Sequence, residues 1–285
     1  MNIFDEDKID CHNHVLDPVH FPYAADTAYR PAGQEIGSQV QHRAVMEAYG
    51  IRHALIVGPN SGYGEDNRCL LDTIARSGGR FKGIAVVPNN TSSERLFELK
   101  AQGIAGIAFN PSLLGLGYYA DAAPLMRRLA DLDILVQVQV HQDQMVDLAP
   151  MILDCGAQIL VDHCGRPDTA RGLHQAGFQA VLALARSGRA TVKLSGLQKV
   201  TSAGWPFEPA RPYVEALIDA YTLDHCLWAS DWPFLKAGER VDMGPLLRWF
   251  EKLLPAAQDR RRLFWDTPCR VLQFQSNALK VALSR

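Results

Sequence analysis

Two histidines separated by a single residue, His12 and His14, follow a short apolar run near the start of the chain. In an extended backbone, side chains two residues apart point to the same side, so these two imidazoles converge on one point. Two imidazoles held in this way can bind a divalent cation or act as a pair of hydrogen-bond donors. An isolated pair of this kind also arises by chance or caps a loop, so its meaning depends on its neighbours in the fold.

Three further residues with catalytic side chains also come at the ends of short apolar runs: His141, His163 and Asp231. An aspartate in such a position can serve as a general base, and an imidazole can donate or accept a proton. A single histidine is more often a core or loop residue without a chemical role. Because all three residues lie at the ends of runs, together they indicate a shared site more strongly than any one of them does alone.

Eight short apolar runs recur along the chain, and they read as continuous rather than alternating. Continuous runs are typical of parallel strands that are covered on both faces. Segments with helical spacing of apolar residues lie between the runs, so strand and helix patterns alternate as in repeated βα units. The eight predicted strands cover residues 9–10, 54–57, 83–87, 104–109, 134–140, 158–161, 191–194 and 226–229.

This alternation predicts one α/β domain over residues 1–285, folded as a TIM-like (β/α)8 barrel with closing C-terminal helices at 246–254 and 260–272. The length suits a single barrel, which typically has roughly 250 residues. A doubly wound open sheet is the alternative, but no GxGxxG follows the first run to support nucleotide binding. Because barrels keep their catalytic groups at the carboxyl ends of the strands, the four histidines and Asp231 are expected to meet at one mouth.

Composition narrows the classes of partner. The 285 residues carry a formal net charge of −2, which argues against a nucleic acid or an anionic membrane as partner. No apolar run approaches the ~18 residues of a membrane span, and the acidic start lacks the apolar core of a secretory signal. The six cysteines form no CxxC pair, as expected for reduced thiols. We expect a cytoplasmic protein, a monomer or small homo-oligomer, that acts on a small molecule.

Five stretches of the chain resemble the amidohydrolase superfamily, in particular its branch of 2-pyrone-4,6-dicarboxylate lactonase and sugar-lactone hydrolases. That superfamily places HxH on strand one, histidines on strands five and six, and an aspartate on strand eight. The resemblance covers nearly the full chain, and VDHxGRPD and SDWP are the segments most specific to this branch. The matching stretches are DCHNHV at 10–15, GYGEDNRCLL at 62–71, ILVDHCGRPD at 159–168, VKLSG at 192–196 and WASDWPF at 228–234.

The resemblance implies a hydrolase that opens a small lactone by attack of water. The expected substrate is a sugar-acid lactone or a carboxylated lactone of the muconate or pyrone type. Asp231 would act as the general base and return the proton to the leaving oxygen. His163, helped by His12 and His14, would stabilise the developing oxyanion.

Two versions of this centre remain open. In one, His12, His14, His141 and Asp231 hold a single divalent metal, zinc before others, with water in the open position. In the other there is no metal, as in some relatives, and the imidazoles act as hydrogen-bond donors. Two-metal members of the superfamily carry a bridging lysine at the end of strand four. Residues 106–111 contain no Lys or Glu, so a second metal is not expected.

Substrate recognition is expected to come from loops at the same mouth. Arg166 is suited to pair with a substrate carboxylate through two hydrogen bonds, or to brace Asp168. Ala108 and the uncharged loop 112–117 stand where the dicarboxylate lactonase usually has arginines, so a dicarboxylated pyrone is not the expected substrate. The residues proposed to bind substrate are Arg166, Tyr29, Asn60, Ser61, Tyr63 and His141.

Other functions use the same scaffold. A lactone isomerase would replace water by a hydroxyl of the substrate, and a metal-dependent decarboxylase would use the same ligand set. The VDHxGRPD stretch favours the lactonase by resemblance, and analysis of the products separates the three reactions. A non-catalytic barrel that binds small molecules or partners would have no reason to keep HxH, two further histidines and an aspartate together at the strand ends.

Overall fold

Eight parallel strands form the centre of the computed structural model, which describes residues 2–27 and 29–274. Each strand pairs with the next one along the chain, and every such pair is parallel. Parallel neighbours require a crossover segment between them. The strands are β1 (Lys8–Asn13), β2 (Ile51–Val57), β3 (Phe81–Ala85), β4 (Ile104–Phe109), β5 (Leu135–Val138), β6 (Ile159–Val161), β7 (Ala190–Leu194) and β8 (Cys226–Trp228).

Helices occupy the crossovers and cover the outside of the sheet. Each longer helix buries one apolar face, as the helix over Ala123–Asp131 does with Leu125, Met126 and Leu129. The α-helices are α1 (Gln39–Ala48), α2 (Arg68–Ala75), α3 (Ser93–Ala101), α4 (Pro111–Leu114), α5 (Ala123–Asp131), α6 (Gln144–Asp154), α7 (Ala176–Leu184), α8 (Leu197–Val200), α9 (Arg211–Tyr221), α10 (Met243–Leu253), α11 (Ala257–Arg261) and α12 (Thr267–Val271).

The apolar core has two layers. One lies between strands and helices, and the other fills the inside of the barrel with side chains such as Ile9, Leu55 and Leu160. Leu272 and Phe274 belong to this inner layer, so the C-terminal segment closes the end of the barrel at which the strands begin. A closed apolar end leaves the opposite mouth, at the carboxyl ends of the strands, as the place for chemistry.

The first and last strands are joined at the mouth by specific hydrogen bonds. The backbone N–H of Asp231 donates to the carbonyl of His12 at 2.8 Å. The side chain of Asp10 accepts from the N–H of Ser230 at 2.9 Å and from its hydroxyl at 2.5 Å. Burial raises the pKa of Asp10 to about 6, although the bonds from Ser230 oppose this. These contacts fix the ends of β1 and β8 against each other.

The structure confirms the predicted barrel and all eight predicted strands. The bounds differ at some ends: β5 stops at Val138 rather than at residue 140, and β2 begins three residues earlier than expected, at Ile51. The predicted closing helices are α10 to α12, with residues Arg262–Asp266 wound as a π-helix between the last two. No helix in the described part of the chain is both long and apolar enough to cross a membrane.

Candidate active site

Asp231 follows β8 and is completely buried at the mouth of the barrel. Its φ of 63° lies in the left-handed region, which costs a non-glycine residue roughly 1–2 kcal/mol. The bond to the carbonyl of His12 holds this backbone, as does the N–H of Phe234, which donates to the Asp231 carbonyl at 2.8 Å. Backbone strain of this kind is often concentrated at active sites and ligand-binding positions.

Three imidazoles surround one oxygen of this carboxylate. The Nε2 atoms of His12, His14 and His163 lie 3.8, 3.9 and 3.6 Å from Oδ1 of Asp231. All four side chains are buried. Among the described residues, Oδ1 of Asp231 and Nε2 of His163 have no hydrogen-bond partner. The structure therefore brings four of the five predicted residues to one point.

The hydrogen-bond partner of Nδ1 determines whether Nε2 of each imidazole presents an N–H or a lone pair to Asp231. Nδ1 of His14 lies 2.8 Å from the carbonyl oxygen of Val57, which can only accept, so Nδ1 carries the proton and Nε2 a lone pair. Nδ1 of His163 lies 3.0 Å from the hydroxyl of Ser195, which can donate as well as accept. Burial lowers the pKa of His12, His14 and His163, which favours the neutral rings.

This group of side chains fits a divalent metal. The lone pair of His14 Nε2 and Oδ1 of Asp231 are two acceptors 3.9 Å apart, an arrangement that is satisfied by a cation, a proton or a water between them. His12, His14 and Asp231 offer three ligand atoms within 4.8 Å of one another. Zinc prefers such nitrogen and oxygen ligands at ~2.0–2.1 Å, which places neighbouring ligands of a tetrahedral ion roughly 3.4 Å apart.

The structure does not bring His141 into this group. His141 is exposed, and its backbone N–H donates to the side chain of Gln144 at 2.9 Å in the turn that leads into α6. Because β5 already ends at Val138, the alternation that would aim residue 141 into the barrel is lost. Gln137 is the buried polar side chain of this strand. Three of the four predicted histidines, His12, His14 and His163, therefore surround Asp231, and the expectation that His141 would join them is wrong.

A second buried carboxylate, Asp162, lies against His12. Its Oδ1 is 3.2 Å from Nδ1 of His12 and 3.0 Å from Nζ of Lys193, and its Oδ2 accepts from Gln137 at 2.9 Å. Burial alone would raise the pKa of Asp162, but the Lys193 ammonium and His12 outweigh it and lower the pKa to about 2. Asp162 therefore carries a negative charge at neutral pH.

Lys199 and Gln198, which sequence reasoning did not identify, cover the other oxygen of Asp231. Nζ of Lys199 lies 2.6 Å and Nε2 of Gln198 lies 2.8 Å from Oδ2. Both belong to the short helix α8 directly after β7, and this position after a barrel strand is the signal that could have identified them. The helix follows Gly196, which has a φ of 61° and where a Cβ would lie 2.6 Å from Nδ1 of His163, so glycine is required.

A cavity of about 410 Å³ opens at the same mouth. Three of the predicted substrate-binding residues, Arg166, Asn60 and Ser61, belong to its wall, together with Lys199 and Gln198. Because Asp231 is itself completely buried, the two residues of α8 lie over its carboxylate on the cavity side.

The two predicted tyrosines lie outside this wall. Tyr63 is buried, and its hydroxyl accepts the N–H of Asp17 at 3.0 Å, which is a structural contact. The hydroxyl of Tyr29 donates to Glu35, and the Tyr29 ring centre lies 4.5 Å from Nζ of Lys236. Tyr29 thus contacts Lys236, which belongs to the cavity wall, but is not itself among the residues of that wall.

Neutral polar side chains form a connected chain along one side of the cavity. Asn110 donates to the side chain of Asn60 at 3.2 Å, and the Ser112 hydroxyl donates to Asn110 at 2.6 Å. Ser112 in turn accepts from Gln139 at 3.0 Å and from Arg166 at 3.1 Å. These bonds fix the orientation of amide and guanidinium groups before any ligand arrives.

Cations dominate the charge of the cavity wall. Arg166, Lys199 and Lys236 belong to the wall, whereas its carboxylate is that of Asp162, which is paired with Lys193. Burial lowers the pKa of Arg166, and among the described residues its Nε has no hydrogen-bond partner. A desolvated guanidinium with a free donor is suited to bind an anionic group.

Known proteins are similar to this chain in sequence and in fold. The sequence model of the family described as amidohydrolase matches residues 9–274. A 4-sulfomuconolactone hydrolase from Rhizobium radiobacter is 30% identical over 272 residues, which cover 92% of this chain and 88% of that protein. A 2-pyrone-4,6-dicarboxylate hydrolase from Comamonas testosteroni is 24% identical over 276 residues, which cover 92% of this chain and 89% of that protein.

A solved structure agrees with these relatives. It belongs to a Pseudomonas putida protein provisionally classed as a 2-pyrone-4,6-dicarboxylic acid hydrolase. That protein is 28% identical to this chain and superposes with a TM-score of 0.81, covering 97% of this chain and 100% of its own. Since the family model extends from β1 to the last described residue, the chain belongs to the amidohydrolase family.

Proposed function

We propose that this protein is a hydrolase that opens a small carboxylated lactone by attack of water, with Asp231 as the general base. The observation that carries the proposal is the buried Oδ1 of Asp231, which lies 3.6–3.9 Å from three imidazole Nε2 atoms beside a cavity with a cationic wall. The relatives that act on a sulfomuconolactone and on a pyrone dicarboxylate support a cyclic ester as substrate.

The chemistry follows from the orientation of the side chains. Oδ1 of Asp231 takes a proton from the attacking water and returns it to the alkoxide that leaves when the ring opens. His163 is suited to stabilise the oxyanion, because a hydrogen bond that the Ser195 hydroxyl donates to Nδ1 leaves the N–H on Nε2. His14 presents a lone pair instead, so it orients the water or holds a cation rather than donating to the carbonyl.

One divalent ion, with zinc as the first candidate, would be held by His12, His14 and Asp231, and it would supply Lewis acidity to polarise water or the carbonyl. His163, whose Nε2 carries the N–H in this assignment, stays outside the set as the donor, and His141 is exposed in the turn before α6 and does not belong to it either. Strand β4 supports one ion rather than two, since Ala108 stands on the cavity wall and residues 104–109 include no acidic or basic side chain.

The cavity wall supports an anionic substituent on the lactone. Arg166 and Lys199 can pair with a carboxylate, and Lys236 adds a third positive charge. Asn60 and Ser61, which also belong to the wall, offer neutral donors and acceptors for ring oxygens or hydroxyls of the substrate. One carboxylate near Arg166 and Lys199 therefore fits this wall better than two carboxylates spread around the ring.

Turnover of a panel of lactones tests the proposal, with NMR analysis of the products. The panel pairs each carboxylated lactone with its neutral methyl ester and includes sugar-acid lactones. Hydrolysis gives the open hydroxy acid, isomerisation gives a rearranged lactone, and decarboxylation releases CO2. Asp231→Asn should lower kcat by roughly 10²–10⁴-fold without loss of fold.

The metal content of the protein is measured together with its activity, before and after treatment with a chelator. Full hydrolysis after removal of all metal would reject the role of zinc but not the proposed lactonase activity. Failure to hydrolyse any lactone in the panel, or an unchanged rate in Asp231→Asn, would reject the proposed function.

A further inference from the structure

Lys193 lies within β7 and is completely buried, and it does not belong to the cavity wall. Its Nζ lies 2.5 Å from Oε1 of Gln137, 3.0 Å from Oδ1 of Asp162 and 3.2 Å from Nδ1 of His12. A buried ammonium is costly unless it is paired with an opposite charge and hydrogen-bonded. The role of Lys193 must therefore lie in what these contacts position.

Lys193, Asp162 and Gln137 close a ring of hydrogen bonds. The amide nitrogen of Gln137 donates to Oδ2 of Asp162 at 2.9 Å, and the amide oxygen accepts from Lys193. The carboxylate is therefore bonded at both oxygens, by a residue from β5 and a residue from β7. It cannot turn without breaking one of these bonds, and its Oδ1 remains beside the ring of His12.

Nδ1 of His12 has two neighbours that favour opposite proton positions. Oδ1 of Asp162 and Nζ of Lys193 are each 3.2 Å away. A carboxylate only accepts and bonds a protonated Nδ1, whereas an ammonium only donates and bonds an unprotonated Nδ1. Oδ1 of Asp162 has lone pairs for both Lys193 and His12, whereas Lys193 already donates to Gln137 and Asp162 at shorter distances, so we take the carboxylate as the partner of the imidazole. The proton of His12 then lies on Nδ1.

We propose that Lys193 is a positioning residue that acts through Asp162: it holds the carboxylate against Nδ1 of His12, so that the Nε2 lone pair of His12 faces Asp231. This rests on the proposed hydrolase function, because it assigns His12 to the acceptor side of the centre, together with His14. The two histidines of the HxH pair then both present lone pairs, and His163 is left as the donor. A carboxylate behind an imidazole fixes both its tautomer and its orientation.

The test combines kinetics with the tautomer of His12, observed by 15N NMR of histidine-labelled protein and assigned with His12→Asn. In the wild type, the proton is expected on Nδ1. In Lys193→Met, we expect the Nδ1–H form to give way to a mixture or to the Nε2–H form. The kcat should fall roughly 10- to 100-fold while KM changes little, because no contact to substrate is lost.

Lys8 provides the matched control. It is also a completely buried lysine, at the start of β1, and its Nζ donates to the carbonyl of Glu6 at 2.5 Å. Lys8→Met removes a buried ammonium at the opposite end of the barrel. Its His12 resonance and its kcat should match those of the wild type, which separates the specific effect of Lys193 from a general effect of losing a buried charge.

A second variant covers the case in which Lys193→Met leaves Asp162 unpaired and fails to fold. The double variant Lys193→Met/Asp162→Leu replaces the pair by apolar side chains of similar size, a change that is often tolerated. It should show the same fall in kcat and the same loss of the Nδ1–H form.

An Nε2–H form of His12 in the wild type, or a wild-type kcat and tautomer in the double variant, would overturn the proposal. The NMR measurement needs no substrate, so an inactive wild type would count against the hydrolase and leave the tautomer result standing.

Discussion

Nζ of Lys199 lies 2.6 Å from Oδ2 of Asp231, while Oδ1 of the same carboxylate faces the three imidazoles of His12, His14 and His163. The two carboxylate oxygens of Asp231 therefore have different partners and different roles. One is held by a cation that also belongs to the cavity wall, and the other is left for the reacting centre. A substrate anion that pairs with Lys199 would thus contact the residue that orients the base.

The first prediction concerns this contact. Lys199→Met should lower kcat/KM for a carboxylated lactone roughly 10- to 100-fold, because a charge-assisted hydrogen bond to the base and a cation for the substrate are both lost. Both kcat and KM should change. Lys236→Met is the comparison, since Lys236 belongs to the same wall and its Nζ lies over the ring of Tyr29. That variant should raise KM and leave kcat near the wild-type value. Equal effects of the two substitutions on kcat would show that Lys199 does not act on Asp231.

The second prediction concerns the donor to the oxyanion. Ser195→Ala removes the hydroxyl that lies 3.0 Å from Nδ1 of His163. Without it the ring is free to change tautomer, so kcat should fall about tenfold while KM stays close to the wild-type value. Ser77→Ala is a matched control, because the Ser77 hydroxyl accepts the N–H of Phe81 at 3.1 Å near the start of β3. If Ser195→Ala raised KM and left kcat unchanged, His163 would have to bind the ground state rather than the transition state.

The fold could be predicted from the sequence because its signals are local. The eight apolar runs and the helical spacing between them correspond to the observed strands and helices, and the strand ends indicated His12, His14, His163 and Asp231. His12, His14 and His163 lie within two residues of a strand end, where the position in the barrel follows from the strand itself. Asp231 lies three residues beyond β8 and is held in place by its bond to the carbonyl of His12.

Other features of the site depend on loop geometry, which the sequence pattern does not contain. His141 lies after a strand that stops at Val138, and the following turn leaves it exposed. Tyr63 lies in a loop whose packing uses the hydroxyl for the backbone of residue 17. Lys199 reaches Asp231 because Gly196 turns the chain after β7, a geometry that the spacing of residue types does not reveal.

The third prediction concerns stability in acid. His42 on α1 is buried between the rings of Phe81 and Trp232, and among the described residues neither ring nitrogen has a hydrogen-bond partner. Burial, together with the positive charges of Arg80 and Arg43, lowers the pKa of His42 from 6.5 to about 3.

Because the unfolded chain takes up the proton more readily than the folded one, the free energy of unfolding falls as the pH drops from about 6.5 towards 3. The loss attributable to His42 is on the order of 3 kcal/mol by pH 4. Urea unfolding from pH 7 to pH 4 should show a smaller loss in His42→Leu than in the wild type. His174→Gln, at an exposed position, should follow the wild type. Parallel curves for the wild type and His42→Leu would mean that His42 is protonated in the folded protein.

The last prediction separates two histidines that both follow barrel strands. His14 lies in the buried group around Asp231, whereas His141 is exposed in the turn before α6. Protein freed of metal and titrated with zinc should bind about one ion per chain, as expected for one set of nitrogen and oxygen ligands.

His14→Ala should lose this binding, because two remaining ligand atoms do not hold the ion tightly. His141→Ala should bind zinc with the wild-type stoichiometry and affinity, since its ring is not part of the group. Loss of zinc in His141→Ala with retention in His14→Ala would require the turn after β5 to fold back over the mouth of the barrel when the ion binds.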